Sequence, residues 1–264
     1  MNLEFFATAG GIPVHILDYK KGDKTLILLH GYLETMYIWS DFADLMAEHY
    51  RVITIDLPGH GLSGSAEVNS MDFDAGAVKG VLDKCGVSKA YIGGHSLGGY
   101  VTLACCRLFP EVFEKAILFN SNPYSDPPEK SCDREREIKI IEAGKLAALV
   151  SSSLPKMYKE SNLRRLDEKI RETIEISETH DPQGIVASLR GMQQRPDSQQ
   201  FLSETSIPFM FIGGDSDTIL PLDKVKEMQT EFPKVKYTII PETGHNSFVE
   251  DPASTAQAVI DFLR

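Results

Sequence analysis

This 264-residue sequence predicts an α/β fold: a mostly parallel, eight-stranded sheet with helices on both faces and a helical cap insertion. Three observations predict it. Short apolar, β-branched runs alternate with stretches of helical periodicity, the pattern of a parallel sheet covered on both faces. The chain opens instead with two strand-like runs around Gly10-Gly11, so the first edge reads as antiparallel. Between residues 122 and 200 the alternation stops, and only helical segments follow one another.

In order, residues 3–7 and 12–18 read as strands, and Lys20-Lys21-Gly22-Asp23 turns the chain into a third at 25–29. Residues 36–49 carry Trp39, Phe42, Leu45 and Met46 on one helical face. A strand at 51–56 leads into a polar, glycine-rich loop at 57–70 and a helix at 71–85. Strand 89–92 precedes a helix at 100–109 that stops at Pro110. Strands follow at 115–119, 208–212 and 235–240, with helices at 223–231 and 253–263. Within the insertion, residues 133–150 and 163–178 have helical composition, and Asp181-Pro182 starts a helix that leads to Met192. The expected organisation is therefore a core of residues 1–121 and 201–264. A helical cap, or lid, of residues 122–200 is expected over the carboxyl edge of the sheet, where open α/β folds bind ligands; the alternative is a helical bundle packed elsewhere on the sheet.

A formal net charge of −11 disfavours nucleic acid as the main partner and suits a small ligand. Cys85, Cys105, Cys106 and Cys132 show no C-x-x-C spacing, so they read as reduced thiols of a cytoplasmic protein. The start lacks a basic segment followed by an apolar one, and no apolar run is long enough to span a membrane. The histidines show no metal-binding spacing, so neither metal nor other cofactor is expected. Oligomeric state is not legible.

The chemistry centres on Gly94-His95-Ser96-Leu97-Gly98, placed between a strand and a helix. Two readings compete: a nucleophile elbow, whose flanking glycines leave room for a sharp turn, or a serine that merely caps the helix. A nucleophilic serine needs a base and a group that orients the base. His245 follows the last strand in Gly244-His245-Asn246, and Gly213-Gly214-Asp215-Ser216-Asp217 presents two carboxylates after the preceding strand. Gly59-His60-Gly61-Leu62-Ser63-Gly64 matches a dinucleotide-binding pattern in form. The polar residues 65–70 after it open no helix that could receive a pyrophosphate. His95 reads as support for the elbow's packing.

Five motifs in order, His30-Gly31, Asp56 to Ser63, Gly94 to Gly99, Gly214 to Pro221 and Gly244-His245, make the chain similar to α/β-hydrolase-fold proteins. The branch it resembles contains the capped esterases, lactonases and meta-cleavage hydrolases. The resemblance implies Ser96 as nucleophile, His245 as base and Asp217 as acid, with Asp215 a turn residue. It implies an oxyanion hole from the backbone amides of Leu97 and Tyr32. A serine at position 96 departs from the aspartate of the family's dehalogenases and epoxide hydrolases. Tyr124, Met157, Tyr158, Met192 and Phe248 are candidate substrate-binding residues, although each could equally fill a core. The implied activity is hydrolysis of a small or medium carboxylic ester, thioester or lactone through an acyl-enzyme, with no membrane partner. Carbon–carbon bond hydrolysis, a lyase-type reaction of the menaquinone pathway, and a small-molecule receptor that keeps the triad are the alternatives.

Overall fold

The computed structural model describes residues 2–264. Eight strands form one sheet in the order β1-β2-β4-β3-β5-β6-β7-β8. β1 (Leu3–Ala9) and β2 (Ile12–Asp18) pair antiparallel across the Gly10-Gly11 turn, both glycines lying at positive φ. β3 (Thr25–Leu29) is followed by a 3₁₀ turn at Met36–Trp39 and α1 (Ser40–Met46), then β4 (Arg51–Ile55), which joins β3 in parallel and β2 antiparallel. The expected helix at 36–49 is thus a 3₁₀ turn running into a shorter α-helix.

α2 (Met71–Lys84) starts on Ser70, whose side chain accepts the Phe73 amide. β5 (Ala90–His95) runs through Ser96 into α3 (Leu97–Leu108), so this helix begins three residues earlier than its periodicity suggests. β6 (Phe113–Phe119) leads to the insertion. There α4 (Pro128–Glu142) and α5 (Leu146–Ser153) replace the single expected helix, broken by Gly144 at positive φ. α6 (Asp167–Ser177) and α7 (Pro182–Gln193) follow, the latter capped by the Asp181 side chain. α8 (Gln199–Glu204) has no counterpart in the sequence reading and straddles residue 200.

The chain then returns to the sheet through β7 (Phe209–Gly214), α9 (Leu222–Glu231), β8 (Lys236–Ile240), the short α10 (Ser247–Glu250) and α11 (Pro252–Leu263). β3, β5, β6, β7 and β8 are parallel neighbours, so their carboxyl ends share one edge. α2 and α3 pack together, and α1 packs with α11. β3 and β5 are buried along their whole length, as a strand covered on both faces must be. Beneath the site, Trp39 stacks on Phe248 at 3.9 Å between ring centroids, with Phe42 and Phe119 edge-on around them.

The ends of the insertion meet where Ser198 N–H donates to Pro123 O. Its helices lie against the loops after β3, β4 and β8. The Ser177 hydroxyl donates to Leu33 O, His180 Nδ1 accepts the Gly61 amide at 3.0 Å, and Met157 O accepts the His245 amide at 2.7 Å. A Cβ at Gly184 would lie 2.6 Å from Gly59 O, and one at Gly191 would lie 1.7 Å from Asn69 O. Gly59 of the dinucleotide-like run, with Gly184 and Gly191 of α7, thus lets the loop after β4 approach that helix closely. No helix among the described residues is long and apolar enough to cross a membrane.

Candidate active site

Ser96 occupies the turn between β5 and α3 at φ 48°, ψ −108°, a conformation costly for a residue with a Cβ. The surrounding backbone holds it there. Ser96 N–H donates to Phe119 O, and Ser96 O accepts the Ser121 hydroxyl at 2.8 Å. A Cβ on Gly94 would lie 2.0 Å from Gly98 O, and one on Gly98 would lie 2.3 Å from Leu29 O. Only glycine at both positions lets strand and helix close on the serine. Ser96 makes no side-chain bond to the helix end, so it is no ordinary N-cap.

His245 lies in the loop after β8 and is 2% exposed. Its Nδ1 faces Asp217 Oδ2 at 2.7 Å, and its Nε2 is buried with no partner among the described residues. Asp217, in the loop after β7, also accepts the Asn120 side-chain amide on Oδ2 and the Ile219 and Leu220 amides on Oδ1. Burial pushes the Asp217 carboxyl up, but the His245 ring and these hydrogen bonds outweigh it and hold the group below the ordinary value. Asp215, by contrast, accepts the Ser216 hydroxyl and makes no hydrogen bond to the histidine.

Asn120 was not singled out from the sequence. It sits at the end of β6 at φ 47°, a conformation asparagine tolerates better than most residues. Besides Asp217 it donates to Gly244 O and accepts the Ser247 hydroxyl, tying the acid to the loop that carries His245. The signal was only an asparagine at a strand end, too common to mark a site.

A cavity of 540 Å³ at the carboxyl edge of the sheet reaches Ser96, Asn120 and His245. Tyr100, Tyr124, Ile219 and Leu220 give it an apolar wall, and Asp126, Lys130 and Arg195 line it from the insertion. Asp126 is shared by two buried guanidinium groups, Arg134 and Arg195, and Arg195 lies 3.9 Å over the Tyr100 ring.

Of the five candidate substrate-binding residues, the structure places only Tyr124 on this wall. Phe248 is fully buried against Trp39 and the His95 ring. Met157, Tyr158 and Met192 are buried in the packing of the insertion, and Met157 reaches the site through its carbonyl, not its side chain. Large apolar side chains near a site are hard to distinguish from core filling in a sequence, because both satisfy the same burial.

The loop after β3 carries Tyr32, and Leu97 opens α3. Among the described residues, neither backbone amide donates to another protein group. The arrangement puts a serine in a strained backbone conformation, a histidine pinned by a carboxylate and two free amide donors at one edge of the sheet.

A family profile described as alpha/beta hydrolase fold matches residues 24–252. The chain is 29% identical over 265 residues to a 2-hydroxy-6-oxononadienedioate/2-hydroxy-6-oxononatrienedioate hydrolase of Paraburkholderia phymatum, covering 96% of this chain and 91% of that protein. Among solved structures it is similar to a malate-bound thermophilic esterase from Thermogutta terrifontis, with a TM-score of 0.91, 26% identity and coverage of 100% and 98%. It is also similar to MenH from S. aureus, with a TM-score of 0.84, 25% identity and coverage of 94% and 97%. The fold, the motif order and a profile match over most of the sequence agree: this enzyme belongs to the alpha/beta hydrolase fold family.

Proposed function

We propose that this enzyme hydrolyses a small or medium carboxylic ester, thioester or lactone through an acyl-Ser96 intermediate. The observation that carries the reading is the pairing of Asp217 with His245 Nδ1, which leaves the buried Nε2 without a partner among the described residues, beside a cavity lined by both Ser96 and His245. In this reading Ser96 Oγ attacks the acyl carbon while His245 Nε2 takes its proton. Asp217 holds the ring in the required tautomer and stabilises the imidazolium. The Leu97 and Tyr32 amides donate to the developing oxyanion, and the protonated His245 then passes its proton to the leaving oxygen or sulfur. Water, deprotonated by His245, releases the acyl group.

Residues 122–200 act as the lid over the core formed by 1–121 and 201–264, and Tyr124 with Tyr100 contacts the acyl chain. The 540 Å³ cavity is in the range of small-ligand sites. The similarity to the Thermogutta esterase supports ester chemistry. The four cysteines are all unpaired, which suits a reducing compartment, and we place the enzyme in the cytoplasm.

The Paraburkholderia relative supports a second reading, hydrolysis of a carbon–carbon bond beside a carbonyl. A fluorophosphonate probe and a panel of acyl esters test the first. Ser96 should label in the folded protein, and Ser96→Ala should lose both labelling and ester turnover by about 10³-fold or more. Absence of labelling in folded wild-type protein would sink the acyl-enzyme reading.

A further inference from the structure

A second acid–histidine pair lies behind the first. Glu34, fully buried in the loop after β3, faces His95 Nδ1 with Oε2 at 2.8 Å, and the other nitrogen of that ring faces His245 O at 3.1 Å. The same Oε2 accepts the Gly31 amide at 2.7 Å, and Oε1 accepts the Asn246 side-chain amide at 3.1 Å. One carboxylate therefore joins three segments: the loop that presents the Tyr32 amide, the residue before Ser96, and the loop that carries His245. The packing leaves no slack. A Cβ on Gly31 would lie 2.6 Å from His95 Nδ1 and 2.8 Å from Glu34 Oε2. The His95 and His245 rings meet edge to face at 4.9 Å.

We infer that Glu34 and His95 are positioning residues, which hold the His30–Gly31 peptide, one peptide before the Tyr32 amide, and the His245 backbone in register with Ser96. The inference deepens the acyl-enzyme reading and rests on it. An unsupported carboxylate in this interior would be costly, so the pair persists only because every oxygen of Glu34 is satisfied. Burial pushes the Glu34 carboxyl up, yet the His95 ring beside it and the bonds it accepts keep it below its ordinary value. A hydrogen-bonded clamp of this kind acts on geometry, and small displacements of reacting groups are expensive in rate.

Substitution at two positions tests it. Glu34→Ala should lower kcat for a short-chain ester by about 30- to 100-fold with KM within about twofold, and slow fluorophosphonate labelling of Ser96 by a similar factor. Glu34→Gln should restore kcat to within about threefold of wild type. Its carbonyl oxygen can accept from Gly31 and His95, and its amide can meet the Asn246 Oδ1, which is buried without a hydrogen-bond partner among the described residues, once the Asn246 amide turns over. Glu34→Ala with unchanged kcat and labelling would overturn the inference, as would Glu34→Gln as slow as the alanine variant. Should Glu34→Ala fail to fold, His95→Asn decides. It keeps a donor toward Glu34 but none that reaches His245 O, and should cost about tenfold in kcat at constant KM. An unaltered His95→Asn enzyme would remove the clamp from the mechanism. Wild-type protein that does not label at Ser96 would take the acyl-enzyme reading down first, and the inference with it.

Discussion

The floor of the site and the helices above it are held by different kinds of contact. Around Ser96 the fit is between backbones: Gly94 against Gly98 O, Gly98 against Leu29 O, and the Ser96 amide on Phe119 O. The insertion docks through a mixture of contacts: the side chains of Ser177 and His180 on the loops after β3 and β4, backbone bonds to Met157 O and Ala187 O, and the glycine contacts of α7. Backbone packing can adopt one arrangement only, and it stores the strain of Ser96 without relaxing it. Side-chain docking can be loosened one bond at a time. The difference predicts a rigid floor around Ser96 and a roof of insertion helices whose attachment is separately adjustable.

The sharpest break in this comparison is at the floor. Asp217→Asn should leave the fold intact and lower ester kcat by about 10³- to 10⁴-fold, because His245 loses the partner that fixes its tautomer. Asp215→Asn should stay within about twofold, since Asp215 does not touch His245. Steady-state kinetics on the two variants decides, and the opposite order would move the acid to Asp215.

Stability separates the regions next. Gly98→Ala should cost about 3 kcal/mol of global stability, because its Cβ meets backbone that cannot swing away. Gly191→Ala meets Asn69 O even more closely, but the expected response is local undocking of α7, seen as faster hydrogen exchange in residues 182–193 with the global transition near its place. Equal loss of global stability in both variants would show that roof and floor unfold as one unit.

The smallest effect is a pH response of the roof. Burial first, and the nearby His30 next, push His180 down to about 4. His60 and His30 are shifted in the same direction, again chiefly by burial. Once undocked, His180 should titrate near its ordinary value, about 6.5. Between these values the undocked state binds more protons, so docking weakens as pH falls through that window and is unaffected above it. At pH 5 the loss is about 2 kcal/mol. Exchange of the Gly61 amide, corrected for its intrinsic rate, should show less protection at pH 5 than at pH 7.

The same contrast explains what could be read from the sequence. The elbow was legible because its requirement is local: glycines two residues either side of a serine, between a strand and a helix, have few other physical reasons to occur together. Choosing Asp217 over Asp215 needed the resemblance, since spacing alone offers both. Glu34 was invisible. Its contact with Asn246 joins positions 212 residues apart, and nothing local in either segment announces the other. In the insertion, helices were legible by period and composition, but Gly144 split one of them, and which large side chains faced the cavity was not encoded in any pattern.

The carbonyl of Met157 has a consequence for anyone redesigning this enzyme. It accepts the amides of both His245 and Asn246, at 2.7 and 3.1 Å, so part of the scaffold under the histidine is supplied by the insertion. Exchanging residues 122–200 for a foreign segment to change substrate range would remove that acceptor along with the old pocket wall. A graft that keeps a carbonyl at that point should preserve turnover while specificity changes. One that omits it would leave two buried amides seeking new partners beside the His245 ring.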